Sequence, residues 1–147
     1  MKTVLLGLSL IIFIVSTAAA QQPDSIGRIQ TLKGSASILR GSEVVPAVVG
    51  VPLFRGDTIR TAKTGSVGIV LADDTTLSLG PSSEIAIRDY MFNPKDGKFA
   101  FVARMVKGTF SYLSGMIAKL SPNSIRLEIP DATIAVRGTR LLIKVDE

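Results

Sequence analysis

Chemistry in a protein chain needs groups that hold or move charge or attack as nucleophiles, and this sequence offers a narrow set: it contains no histidine and no cysteine. That excludes Ser-His-Asp and Cys-His catalysis, zinc sites built on imidazole or thiolate, and disulfide exchange. A lysine-activated serine is disfavoured too, because no serine is followed three residues later by lysine and no Gly-x-Ser-x-Gly elbow occurs. The acids Asp57, Asp73, Asp74 and Asp131 remain, as a glycosidase pair or as ligands for a hard cation. They stand with Gly, Thr or Pro in turn-like contexts, in Gly56-Asp57-Thr58, Asp73-Asp74-Thr75 and Pro130-Asp131. A short carboxylate there hydrogen-bonds neighbouring backbone N–H groups and needs no ligand. No calcium-loop spacing links them, so no metal or cofactor is implied. Arg137-Gly138-Thr139-Arg140 is the other stretch with chemical potential. It could clamp an anion, or Arg137 could pair inside the fold with a turn acid such as Asp57 or Asp73, since an unpaired buried guanidinium is costly. The second reading makes Arg137 the distant partner of those acids.

The elements that must position these groups are strands. From Leu53 to Ile87, apolar residues recur at every second position: Ile59, then Val67, Ile69 and Leu71, then Leu77 and Leu79, then Ile85 and Ile87. That is the period of a half-buried strand. Gly56-Asp57, Thr64-Gly65, Asp73-Asp74 and Gly80-Pro81 punctuate the runs at the spacing of an all-β sandwich, barrel or roll. Upstream, Gly27 to Leu32 and Ser35 to Leu39 read as a first strand pair broken at Lys33-Gly34, and Val44 to Val49 holds Pro46, which belongs at an edge or bulge. Downstream, Arg88 to Phe92 and Phe99 to Val106 form the clearest hairpin, around Asn93-Pro94-Lys95-Asp96-Gly97. Lys107-Gly108 is expected to break that strand. Met116 to Leu120 fits either a helical turn or a strand, and Thr133 to Val136 with Arg140 to Val145 forms a last pair. No helix of three turns is expected, so the fold class is all-β: one domain of short strands and tight turns, a β-sandwich or a solenoid-like β-roll.

The N-terminus reads differently. Lys2, an apolar run from Val4 to Val15 and then Ala18-Ala19-Ala20 make residues 1–20 a secretory signal peptide cleaved after Ala20. The run is shorter than the span of about 20 residues that a transmembrane helix needs. Residues 21–147 then form a single domain, periplasmic or secreted, without stable membrane insertion and held together without disulfides. The net charge of +5 is scattered among strands and turns. An exported chain with few aromatics is no nucleic-acid binder.

Four pieces in order carry a family resemblance: Gly50 to Thr61, Ala72 to Ser83, Lys107 to Phe110, and Ala132 to Thr139. In them the chain resembles the FecR-like domain family across nearly all of residues 21–147. The resemblance implies an all-β, non-enzymatic envelope domain, which in its best-known members relays occupancy of an outer-membrane receptor to a cytoplasmic sigma-factor regulator. Two departures stand out: no hydrophobic helix candidate besides the signal peptide, and Asp73-Asp74 where the family turn reads Asp-Gly. The expected role is a stand-alone, non-catalytic envelope interaction or regulatory module that binds an envelope protein partner. Two alternatives are a carbohydrate-binding or carbohydrate-cleaving protein using the carboxylates with Tyr90, Phe92 and Tyr112, and a small-anion sensor using Arg137 and Arg140.

Overall fold

Alternation of apolar and polar residues turns into alternation of buried and exposed side chains along nearly every strand. The computed structural model describes residues 24–136, 138 and 140–146; the expected signal peptide, Arg137 and Thr139 lie outside them. The strands are β1 (Gly27–Lys33), β2 (Ala36–Arg40), β3 (Glu43–Pro46), β4 (Pro52–Leu53), β5 (Thr58–Thr61), β6 (Ser66–Leu71), β7 (Thr76–Leu79), β8 (Glu84–Asn93), β9 (Lys98–Leu113), β10 (Ile125–Ile129), β11 (Ala132–Ile134) and β12 (Arg140–Val145). A one-turn helix, α1 (Met116–Leu120), and a 3-10 turn at Pro122–Ser124 connect β9 to β10. The fold is all-β, a single curled sheet resembling a half-barrel. No helix among the described residues is long and apolar enough to cross a membrane.

Strand order runs β3-β2-β5-β8-β9-β7-β6-β1-β4, with β10 and β12 also on β9 and β11 on β10. All pairs are antiparallel except β9 with β10. The expected first pair does not form: β1 pairs with β4 and β6, whereas β2 pairs with β3 and β5. Gly34, at φ 65°, does not close a hairpin but sends the chain from one half of the sheet to the other. Nor do the last two strands pair with each other, since β11 lies on β10 and β12 on β9. Burial along α1 settles Met116–Leu120 as a helical turn that plugs Ile117 into the core.

Strand β9 is the seam. Residues up to Lys107 pair with β8 and β10, and residues from Gly108 onward pair with β7 and β12. Lys107-Gly108 therefore bends the strand and does not break it. Gly108 sits at φ 105°, and a Cβ there would collide with the side chain and backbone of Ser83. Just before it, Val106 is left unpaired between Met105 and Lys107, and this bulge rephases the alternation so that Met105 and Phe110 both point inward. Bulges at Gln30 and Arg88 do the same in β1 and β8. The core is one continuous cluster: Ile38, Ile59, Ile85, Ile87 and Phe101 face Ile29, Ile69, Leu77, Leu79 and Tyr112. Each such side chain contributes about 1.5–3 kcal/mol on burial.

Candidate functional site

The turn acids are placed by the strands they join. Asp57 precedes β5 in the Gly56-Asp57-Thr58 turn, with Gly56 at φ 92°. Its carboxylate is 1% exposed. Oδ2 accepts the Phe54 N–H at 2.9 Å, closing the turn on itself. Arg40, at the end of β2, donates from Nε to Oδ1 at 3.0 Å and from Nη2 to Oδ2 at 2.9 Å. This bidentate fork suits a carboxylate. The guanidinium also stacks 4.5 Å above the Phe54 ring and reaches the Pro52 carbonyl. The hydrogen bonds to Asp57 hold the Arg40 pKa above its ordinary value. Arg40 thus fills the role expected of Arg137 at Asp57.

Asp73 is handled without a cation. It lies in the β6–β7 turn and is fully buried. Oδ1 accepts the Tyr90 hydroxyl at 2.8 Å, and Oδ2 accepts the Thr75 hydroxyl at 2.7 Å and the Ile117 N–H at 3.0 Å. Its own N–H donates to the Tyr90 oxygen, and its carbonyl accepts the Met116 N–H. One residue thereby fastens the β6–β7 turn to β8 and to the first turn of α1, where orphan N–H groups favour a carboxylate. Burial, then the neighbouring Asp73 charge, pushes the Tyr90 phenol well above its ordinary value. Asp74 adopts φ 67°, a left-handed geometry that Asp tolerates better than most residues, so the turn works without the family's glycine.

The remaining sequence candidates disperse. Asp131 is exposed in the β10–β11 turn. Gly138 accepts a hydrogen bond from Ser114 at 2.8 Å. Tyr90 and Tyr112 are buried, and Phe92 packs partly buried against the core, so these three build no exposed stacking platform. Sequence reading missed Arg40 and Tyr90 as partners of the acids, each 17 residues away. It also missed a knot of hydroxyls at the seam, where Thr61 Oγ1 accepts the Ser83 N–H at 2.8 Å and Ser83 Oγ accepts the Thr109 N–H at 3.0 Å.

With Asp57 and Asp73 used internally, binding chemistry falls to the surface, which is divided. On the β2-β5-β8 side, outward cations meet carboxylates: Arg60 with Glu84 at 2.5 Å and Arg88 with Glu128 at 4.0 Å, while Arg55 meets Asp89 at 3.6 Å nearby. On the β1-β6-β7-β12 side the outward row Thr31–Gly68–Ser78–Ser111–Leu142 crosses five strands in register. A third feature is the edge at β3. Ala47 donates its N–H to Ala36, so Val45 and Glu43 also turn their backbone towards β2, and Val44 and Pro46 face outward. Pro46 has no N–H, which blunts this edge as a template for pairing. Val44, Val48 and Val49 are nonetheless well exposed beside it.

A family model described as FecR protein matches residues 57–147. No curated protein and no solved structure matches the chain.

Proposed function

Because the chain belongs to the FecR family, a family of cell-envelope signalling regulators, we propose that it is a non-catalytic periplasmic module that binds an envelope protein partner. One observation carries the reading beyond the family: both buried turn acids have their oxygens committed to the fold, while Val44, Val48 and Val49 stand exposed along the β3 edge. Exposed apolar side chains at and just beyond a blunted edge suit side-chain docking better than strand addition. The lack of histidine and cysteine, and the use of the Asp57 and Asp73 carboxylates inside the fold, support the non-catalytic part.

The test is position-specific photocrosslinking in intact envelopes, with the crosslinker at Val44 or Val48 and, as a control, at Lys95 in the β8–β9 hairpin tip. The expected result is one discrete adduct from the valine positions, absent from Lys95 and lost on introducing Val49→Asp. Adducts of equal yield from all three positions, or none from any, would overturn the proposal.

A further inference from the structure

The outer face of the β1-β6-β7-β9-β12 half is cationic and carries no acid on its strands. Its outward positions can be followed strand by strand, because Ile29, Val67, Ile69, Leu77, Leu79, Phe110 and Tyr112 point inward and their neighbours must point out. Register places Arg28 and Lys33 at the two ends of β1, and Arg140 and Lys144 at the two ends of β12. All four are exposed. With strands about 4.8 Å apart and about 3.3 Å per residue, they frame a rectangle of about 19 by 15 Å. Between them lie mostly Gly, Ser and Thr, and a Cβ on Gly68 would press on the Thr31 hydroxyl, which would have to turn away. No Asp or Glu occupies an outward position on these strands. The nearest described acids stand at the rim, Asp74 in the β6–β7 turn and Asp146 beyond β12, the latter 3.6 Å from Lys144. Two leucines share the face, Leu142 at 74% and Leu113 at 46% exposure.

We propose that this face docks on an anionic lipid bilayer surface. Four cations on one outer face complement a layer of phosphate headgroups, and two projecting leucines reach the acyl boundary, the combination that holds a protein on a membrane without spanning it. A second copy of the chain is repelled from this face by like charge, and a hydrated polyanionic polymer gives the leucines nothing to enter. On the other half of the sheet, Arg60 and Arg88 meet carboxylates, which offsets part of its charge. The protein partner of the preceding section would keep access to Val44 on β3, which belongs to the other half of the sheet.

The experiment is vesicle co-sedimentation of the full-length protein, purified as its host processes it, on phosphatidylcholine alone and on an equal mixture with phosphatidylglycerol. Every variant shares the same N-terminus, so differences between variants report on the face. Binding is expected only with phosphatidylglycerol, and to weaken steeply as salt rises. Neutralising a corner, as in Lys33→Ala or Arg28→Ala, should cost about fivefold in affinity each, and Leu142→Ser should lower the binding that survives at high salt. Arg60→Ala on the other face should change nothing. Circular dichroism melting verifies that these surface variants stay folded. Equal sedimentation on phosphatidylcholine, indifference to the corner substitutions, or retention on an anionic polysaccharide resin with none on vesicles would overturn the proposal. The β3 crosslinking result does not depend on any of these outcomes.

Discussion

Asp57 and Asp73 begin as the same signal, an aspartate in a turn between strands with Thr close behind it, and end in opposite environments. Asp57 is neutralised by the Arg40 fork, whose cation remains 31% exposed. Asp73 is held by neutral donors alone, from Tyr90, Thr75 and Ile117. The first is an ion pair at the border of the core, open to water on one side. The second is a buried hub through which three segments distant in sequence are tied. A turn acid therefore does two different jobs in one fold: it stitches neighbouring strands where a long cation can reach it from the rim, and it organises the interior where only hydroxyls and N–H groups can.

This contrast fails if the two acids respond alike. Asp73→Ala should have the largest effect, about 3–5 kcal/mol, because it leaves the Tyr90 hydroxyl and the Ile117 N–H buried and unpaired; chemical denaturation measures it, and a loss under about 1 kcal/mol would erase the hub. Arg40→Ala should cost about 2–3 kcal/mol by stranding the Asp57 charge, tempered by the exposure of the pair. High salt should shrink that cost and leave the Asp73 cost unchanged, a difference readable from denaturation midpoints at two ionic strengths. Tyr90→Phe should follow at about 1–2 kcal/mol. It also carries a pH signature. The Tyr90 phenol is raised above its ordinary 10.0 in the fold, so the unfolded chain loses that proton first. The stabilisation is whole below about pH 10 and is lost as pH climbs further. Wild type should thus lose stability above that pH more steeply than Tyr90→Phe. Burial raises Tyr112 in the same direction, so the variant keeps part of the slope. The smallest effect belongs to the surface: a double-mutant cycle on Arg60 and Glu84 should give a coupling below about 1 kcal/mol. A larger value would place that exposed pair on the same footing as Arg40 and Asp57.

Much of the fold was legible because a strand writes its own pattern. Ile59, Val67, Ile69, Leu71, Leu77, Leu79, Ile85 and Ile87 announced themselves at period two and all are buried. The β8–β9 hairpin was equally plain from Asn93 to Gly97. Pairing was less legible, because adjacency in sequence suggested β1 with β2 and β11 with β12, whereas each of these strands pairs within a different part of the sheet. Lys107-Gly108 looked like a stop because glycine interrupts strands as well as bending them, and only the collision with Ser83 distinguishes the two. Among site residues, the structural use of Asp57 and Asp73 could be anticipated, but their partners could not. Arg40 reaches Asp57 across β2 and β5, and Tyr90 reaches Asp73 only because the bulge at Arg88 turns it inward. Period two without the bulge would leave Tyr90 outside. The cationic face was invisible in a scattered charge list and emerged only from register.

The seam at β9 has a consequence for the order in which the molecule can come into being. A chain is made from its N-terminus, so β1 to β8 exist before the strand that closes both halves. Until residue 113 is available, β7 lacks its outer neighbour and β8 lacks one of its two, and apolar strands such as Ile85 to Ile87 stand with an unpaired edge. The late arrival of β9 couples the two halves into one event, and it makes the interval before that event the time when this protein is most exposed to pairing with the wrong strand.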